Sequence, residues 1–277
     1  MIHPRKWFIG RPGFLIPVFF LSWCQLGAQF YQHDARTLAL GQSYASNAGL
    51  ASAALNQAGL GRMAESSSSL HHLRPYITTQ LDIISVSVQV SLSRGGPGFV
   101  LTSMGIAGMR QNSAWISYGL KLHPRLCAGV GLHFQFISIP EDALFHPVLG
   151  FALGLQFLVS EELILGAHIN QASAWSETRP GSSKESLMIC TGLSYAFIKT
   201  ANFYTEFHII AGTHVQWCNG IKIDIADYLQ LFLGMNNRPW SLSAGLSIEY
   251  RNWGITLAAV CNMDTGISPS TSLSHVW

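Results

Sequence analysis

The sequence is short of charge, of long apolar runs and of closely spaced cysteines. Charged residues make up 11% of its 277 positions, less than half of the roughly 25% found in soluble globular domains. That excludes an ordinary water-facing surface for a chain of this size. The formal charge of +2 is too small to hold a nucleic acid. No run of about 20 apolar residues follows residue 28, which excludes a bundle of membrane-spanning helices. The five cysteines include no C-x-x-C pair, so neither a disulfide scaffold nor a zinc ribbon is indicated. Cys127, Cys190, Cys218 and Cys261 read as small apolar residues of a wall.

Marks of chemistry are also missing. There is no H-E-x-x-H and no G-x-S-x-G. Gly95-Gly96-Pro97-Gly98 lacks the Lys-Ser/Thr of a phosphate loop and reads as a hairpin turn. His71 and His72 are adjacent, so on a strand they face opposite ways and cannot share a metal. The reading is a non-enzyme with no catalytic residue, no cofactor site and no metal ligands.

The N-terminus reads as a signal peptide over residues 1–28. Arg5, Lys6 and Arg11 form a basic start, Phe14 to Leu21 an apolar stretch, and Leu26-Gly27-Ala28 a cleavage site after Ala28. Trp23 is too bulky before Cys24 for a lipoprotein site. Cleavage removes three basic residues and no acidic one, taking the charge from +2 to −1.

From about residue 66 the pattern takes a period of two. Ser85, Ser87, Gln89 and Ser91 alternate with Ile84, Val86, Val88 and Val90, and Ser241 to Glu249 alternate likewise with Trp240 to Tyr250. Successive side chains on a strand point to opposite faces. In a soluble sandwich the polar face would carry Lys, Glu and Arg. Here it carries Ser, Gly, Gln and Thr, with Lys121 and Glu249 as exceptions. The apolar face must therefore meet lipid and the small polar face a confined interior. Fourteen such segments can be drawn: 66–74, 80–92, 97–106, 113–122, 125–138, 147–158, 162–173, 186–198, 201–211, 214–224, 228–236, 240–250, 252–261 and 270–277. Alternate links are tight, such as His123-Pro124, Lys199-Thr200 and Arg251-Asn252. Others are longer: Ile139 to His146, Ala174 to Glu185, and Asn262 to Pro269. Short turns at one end and longer loops at the other characterise outer-membrane barrels.

Trp115, Phe136, Phe157, Trp217, Tyr228, Trp240, Tyr250 and Trp253 lie near segment ends, as an interfacial aromatic girdle requires. The chain finishes with Leu273, His275 and Trp277 on one face, the kind of terminal strand that barrel-assembly machinery recognises. The expected fold is an all-β, transmembrane antiparallel barrel of about fourteen strands over residues 66–277, preceded by a short helical hatch at 29–65.

That hatch carries a distinctive sequence. Ala35, Arg36, Leu38, Leu40, Gly41, Tyr44 and Ala45 form one block, and Asn56, Ala58, Gly59 and Leu60 a second. These resemble the opening "A-R-x-L-x-L-G" stretch and "N-P-A-G-L" box of the PorV/PorQ family, which is related to FadL. Gln57 stands in the place of the proline and Ser43 in that of an alanine. Ser272 to Trp277 resembles that family's "S-L-S-Y-x-F" ending. The resemblance implies a Bacteroidota-type outer membrane and a fourteen-stranded barrel plugged by its N-terminal segment. It implies one of two functions. The first is a non-enzymatic subunit of a larger outer-membrane complex for protein export, associated with type IX secretion. The second is a FadL-like conduit that passes hydrophobic molecules through a lateral opening. Of these the export subunit is the leading expectation, and the small inward residues suggest a plugged barrel that conducts poorly. Expected partners are the lipid bilayer, the barrel-assembly machinery and that larger complex, with no nucleic acid.

Overall fold

A computed structural model describes residues 34–78, 80–106, 109–138, 148–174, 187–210 and 215–277. Alternating sequence becomes strand throughout. The strands are β1 (Ser67–Leu73), β2 (Asp82–Gln89), β3 (Gly95–Ile106), β4 (Met109–His123), β5 (Leu126–Ser138), β6 (Val148–Leu158) and β7 (Leu163–Ala174). They continue as β8 (Met188–Ile198), β9 (Ala201–Ile210), β10 (Gln216–Ala226), β11 (Leu229–Asn237), β12 (Trp240–Tyr250), β13 (Trp253–Asn262) and β14 (Gly266–Val276). Each pairs antiparallel with its chain neighbours, and β1 pairs with β14, from Ser67 opposite Val276 to Leu73 opposite Ser270. The sheet is thus a closed barrel of fourteen strands with no free edge, the form in which a sheet can cross lipid.

The faces sort as the alternation requires. Leu101, Leu132, Leu153, Leu242 and Leu257 point outward and are about half exposed, while Ser85, Ser87, Gln89, Ser247 and Ser272 point inward and are buried. An outward ion pair, Asp82 with Arg110 at 3.2 Å, sits at the rim where β2 begins and β4 begins. Trp217 and Trp240 project outward near one rim, and Tyr228, Tyr250 and Trp253 near the other. These are the two levels that amphipathic rings favour.

Four expectations change. Trp115 belongs to no girdle: it is buried in the lumen, stacked on His133 with ring centroids 4.4 Å apart. It shares parity with Ser113 and Ser117, so its strand position overrides the aromatic preference for the interface. Gly95–Gly98 do not form a turn but open β3, the chain reversing at Ser93 and Arg94. The expected long link from Asn262 to Pro269 shrinks to Met263–Thr265, because β14 starts at Gly266 and Pro269 pairs opposite Ala259. β4 likewise begins four residues before its expected start. The longer links at 139–147 and 175–186 lie outside the described residues.

Candidate functional site

The lumen at the tight-turn end is filled by residues 34–63. Helix α1 (Ala35–Ala39) is one turn long and would not form alone in water. It is held by its surroundings: Ala35 N–H donates to Ser272 Oγ at 2.9 Å, Ser243 Oγ donates to the Ala39 carbonyl at 3.0 Å, and Arg36 forms an ion pair with Glu249. Ala35, Ala39 and Leu40 pack on Tyr204, Phe232 and Ala258. The Asp34 carboxyl, buried beside them, is raised above its usual range by burial, with Arg36 opposing the shift.

A second seat holds the 3-10 turn at Gln57–Arg62. Asn56 caps it, its Oδ1 accepting from Ala58 N–H at 3.1 Å while its amide donates to the Ala45 carbonyl. Leu60 packs with Ala53, Val100, Trp115 and Ala152. Gly119, Gly129 and Gly154 stand directly opposite one another on β4, β5 and β6. A side chain on any of them would strike the backbone of Gln57, Ala58 or Gly61, or the side chain of Asn56. Three aligned inward glycines therefore make a rail on which the turn rests. Gly220 and Gly234, opposite each other on β10 and β11, do the same for Leu40 and Gly41, and Gly245, one step off that row, makes room for Ala39.

The inward polar side chains have a common task. An irregular segment leaves backbone groups unpaired, and at membrane depth there is little water to satisfy them. The wall supplies the partners. Ser87 Oγ donates to Leu50 O at 2.9 Å, Ser117 Oγ to Ala53 O at 2.5 Å, and Gln156 Nε2 to Asn47 O at 2.7 Å. Glu206 Oε2 accepts from both Tyr44 N–H and Ala45 N–H at 2.7 Å. Its other oxygen meets His208 Nε2 at 2.7 Å.

The sequence-selected residues divide between two places. Arg36, Leu38, Gly41, Asn56, Ala58, Gly59 and Leu60 all lie in the plug. Gly41 has a φ of +65°, and a Cβ there would meet the Asn219 carbonyl. Gly59 packs on Ser52, and Leu38 and Ala58 are buried. Gln57 is buried with its backbone against Gly129. Leu273, His275 and Trp277 lie far along the chain on β14 and its end, with Leu273 and Trp277 outward. His275 stacks on Trp277 at 5.8 Å and meets Trp253 at 4.5 Å. Glu206, His208 and Gln156 were not selected by sequence, though all three have the inward parity of their strands.

Between α1, the following loop and strands β9–β11 lies a cavity of about 140 Å³. Arg36, Asp34 and Lys222 give it charge, and Leu40, Tyr204 and Phe232 give it apolar surface. A cavity of roughly this size admits one benzene-sized molecule or a few waters.

No family model matches the chain, and no curated protein matches it. Solved structures do. The toluene transporter TbuX of Ralstonia pickettii superposes with a TM-score of 0.67 at 12% identity, over 90% of this chain and 99% of that one. The monoaromatic hydrocarbon channel CymD gives 0.68 at 11%, over 90% and 98%. A Pseudomonas aeruginosa FadL homologue gives 0.60 at 10%, over 90% and 99%. The fold is FadL-like. The likeness extends over almost the whole length of those channels, while the identity is low enough that it speaks for architecture alone.

Proposed function

We propose that this protein is an outer-membrane conduit for small hydrophobic molecules, with residues 34–63 as its hatch and the cavity beside Arg36, Tyr204 and Phe232 as the first resting place of the solute. One observation carries this reading: a closed fourteen-strand barrel of FadL-like fold holds an N-terminal plug with a cavity of about 140 Å³ against it. That reverses the order in which the sequence ranked the two functions. It also makes the chain a transporter rather than an enzyme.

The attached proposals follow from the sequence. Residues 1–28 act as a cleaved export signal, 29–65 as the hatch and 66–277 as the wall, with Leu273, His275 and Trp277 read by the barrel-assembly machinery. Membership of the PorV/PorQ branch, and a Bacteroidota source, rest on the motif residues alone.

A second reading keeps the chain as a subunit of a protein-export complex. Two observations favour it. The first is the opening motif with its matching chain ending. The second concerns the wall. The breaks in strand register among the described residues, at Lys121/His123, Ala196/Ile198 and Asp224/Ala226, all lie at the tight-turn end. β6, which carries Gly150 and Gly154, pairs without a break on both sides. Among the described residues, a lateral exit away from the tight turns would have to open between strands that are paired without a break in register.

The test compares uptake of a monoaromatic hydrocarbon, a fatty acid and a sugar by cells with and without the exported chain. Faster uptake of either apolar solute, with no change for the sugar, supports the conduit. No change in any of the three, with recovery of the barrel in a large complex from gently solubilised membranes, supports the export subunit.

A further inference from the structure

Beside the cavity, on the far side of Tyr44 and nearer the other end of the barrel, four strands bring together a cluster of which the proposed conduit uses only the hatch-facing oxygen of Glu206. Cys190 on β8 stands directly opposite His208 on β9, and Glu206 lies two residues away on the same inward face. One donor atom from each of these three falls within 4.8 Å of the others, and all three side chains are buried. Cys218 on β10 stands opposite Glu206, with its Sγ 3.9 Å from His208 Nδ1. His168 on β7 stands opposite Cys190; it is 1% exposed, and neither ring nitrogen has a hydrogen-bond partner. Tyr44 of the hatch closes the cluster from inside, its hydroxyl 3.2 Å from Cys190 Sγ and its ring 5.2 Å from that of His208.

The geometry points to a buried site for a thiophilic divalent cation of the Zn²⁺ class, held by Cys190, Glu206 and His208, with the fourth position taken by water or by His168, which stands opposite Cys190 on β7. Thiolate, imidazole and carboxylate are the donors such an ion selects, and four ligands complete its usual tetrahedron. Ligands about 2.0–2.3 Å from a common centre lie roughly 3.5 Å apart. The cluster therefore needs to tighten by about an ångström, within the reach of side-chain rotation. The charges also fit. The only ion-pair partner of the buried Glu206 carboxylate among the described residues is His208. A buried carboxylate is stabilised by a paired cation or a coordinated metal.

Binding balances as follows. The Cys190 thiol releases its proton to solvent, as a metal-bound thiol must. His208 would bind through Nε2, which faces Glu206, so any proton on that nitrogen leaves to solvent and one ring proton is kept on Nδ1, which faces Cys218. Cys218 and the hatch then act as the outer shell that orients the ligands. Glu206 Oε2 keeps the two N–H groups of Tyr44 and Ala45. An ion on the other carboxylate oxygen would thus tie strands β8 and β9 to the hatch backbone.

The test uses the whole barrel refolded from urea into detergent with Co²⁺ or with chelator, its folding followed by heat-modifiable gel migration. One Co²⁺ per chain with a thiolate-to-metal charge-transfer band is expected. C190A should lose the band and bind Co²⁺ at least tenfold more weakly, whereas C261A, altered on the outer wall, should match the parent. Failure to retain stoichiometric metal, or a band that survives C190A, overturns the site. If C190A does not fold, X-ray absorption of the Zn²⁺-loaded parent decides: one sulfur in the coordination shell supports the site, and a shell of nitrogen and oxygen alone overturns it.

Discussion

Replacing Gly129 by valine tests whether the glycine rail holds the hatch. Gly129 sits in the middle of the rail, with Gly119 and Gly154 directly opposite it on either side. The space its Cβ would take is occupied by the carbonyl of Gln57 and the nitrogen of Ala58. These are backbone atoms that no rotamer change can move, so the 3-10 turn has to lift. Forcing extra carbons into a packed site costs about 1–3 kcal/mol. Lifting the turn also loosens Leu60, whose full burial is worth about 1.5–3 kcal/mol. Taking about 2–4 kcal/mol as the net cost to docking, the seated hatch loses between about 30-fold and 1000-fold in population. The wall does not share this penalty, because the valine adds nothing on its lipid side or to its ladder. The assay is planar-bilayer conductance together with protease access to residues 34–65. The parent is expected to conduct poorly and resist cleavage, and G129V to conduct and be cut while keeping folded-barrel migration. G129A should fall between them. G49A is the control, since a Cβ at Gly49 meets nothing within 4 Å. If G129V conducts no better than the parent and its hatch stays protected, the rail is not what seats the turn.

E206A should leave two hatch N–H groups without an acceptor. At about 1.5–3 kcal/mol for each hydrogen bond to a charged group, it is expected to loosen the segment by about 3 kcal/mol or more. Amide exchange at Tyr44 and Ala45 would report this as faster exchange, with the wall strands unchanged. D34N addresses pH. Burial raises the Asp34 carboxyl above its ordinary value of about 3.9, so Asp34 contributes stability that is fully present below that value and lost as pH rises through the raised one. The urea midpoint of the parent relative to D34N should therefore fall as pH climbs from about 4 towards neutrality; a difference independent of pH would contradict it. Brominated lipids should quench Trp217, Trp240 and Trp253, which face outward, and spare the luminal Trp115. Measured on single-tryptophan variants, quenching of Trp115 at the level of the others would place it on the lipid side.

What the sequence made legible is whatever depends on the pleat alone. Side-chain parity is local, so the inward run Ser85, Ser87, Gln89 and the outward run Ile84, Val86, Val88 are assigned without knowing which strand lies alongside. The strand count follows from repeated parity and turn residues. The position of Trp115 was legible too, through Ser113 and Ser117, but was outweighed by the preference of aromatics for the interface. Register was not legible, because it joins residues far apart in sequence. His168, Cys190 and His208 occupy one row across three strands, yet no feature of the intervening links fixes the offset that aligns them. Searching for motif spacing therefore found no metal set. Glu206 left a fainter trace: it is an acid in the body of a strand, at an inward position, where the inward residues of most other strands are Ser, Gly and Gln. The two hatch blocks showed themselves through glycine and asparagine, whose conformational freedom and capping amide are used at Gly41 and Asn56.

The hatch and the wall explain each other's composition. A segment as irregular as residues 40–56 would be costly inside a barrel lined with apolar side chains, since its carbonyls and N–H groups would lack partners. A wall lined with Ser, Gln and Gly would be a poor interior if left empty, because small residues leave gaps and hydroxyls need acceptors. Together each satisfies the other: wall hydroxyls and amides close onto hatch carbonyls, wall glycines admit hatch backbone, and one wall carboxylate takes two hatch amides. It follows that the inward polar face, which alone would suggest a water-filled pore, is matched to a polypeptide instead. In the proposed conduit, solute would pass either beside the hatch, through the cavity at Arg36 and Phe232, or by displacing it, and both routes depend on the same few contacts at Glu206, Asn56 and the glycine rail.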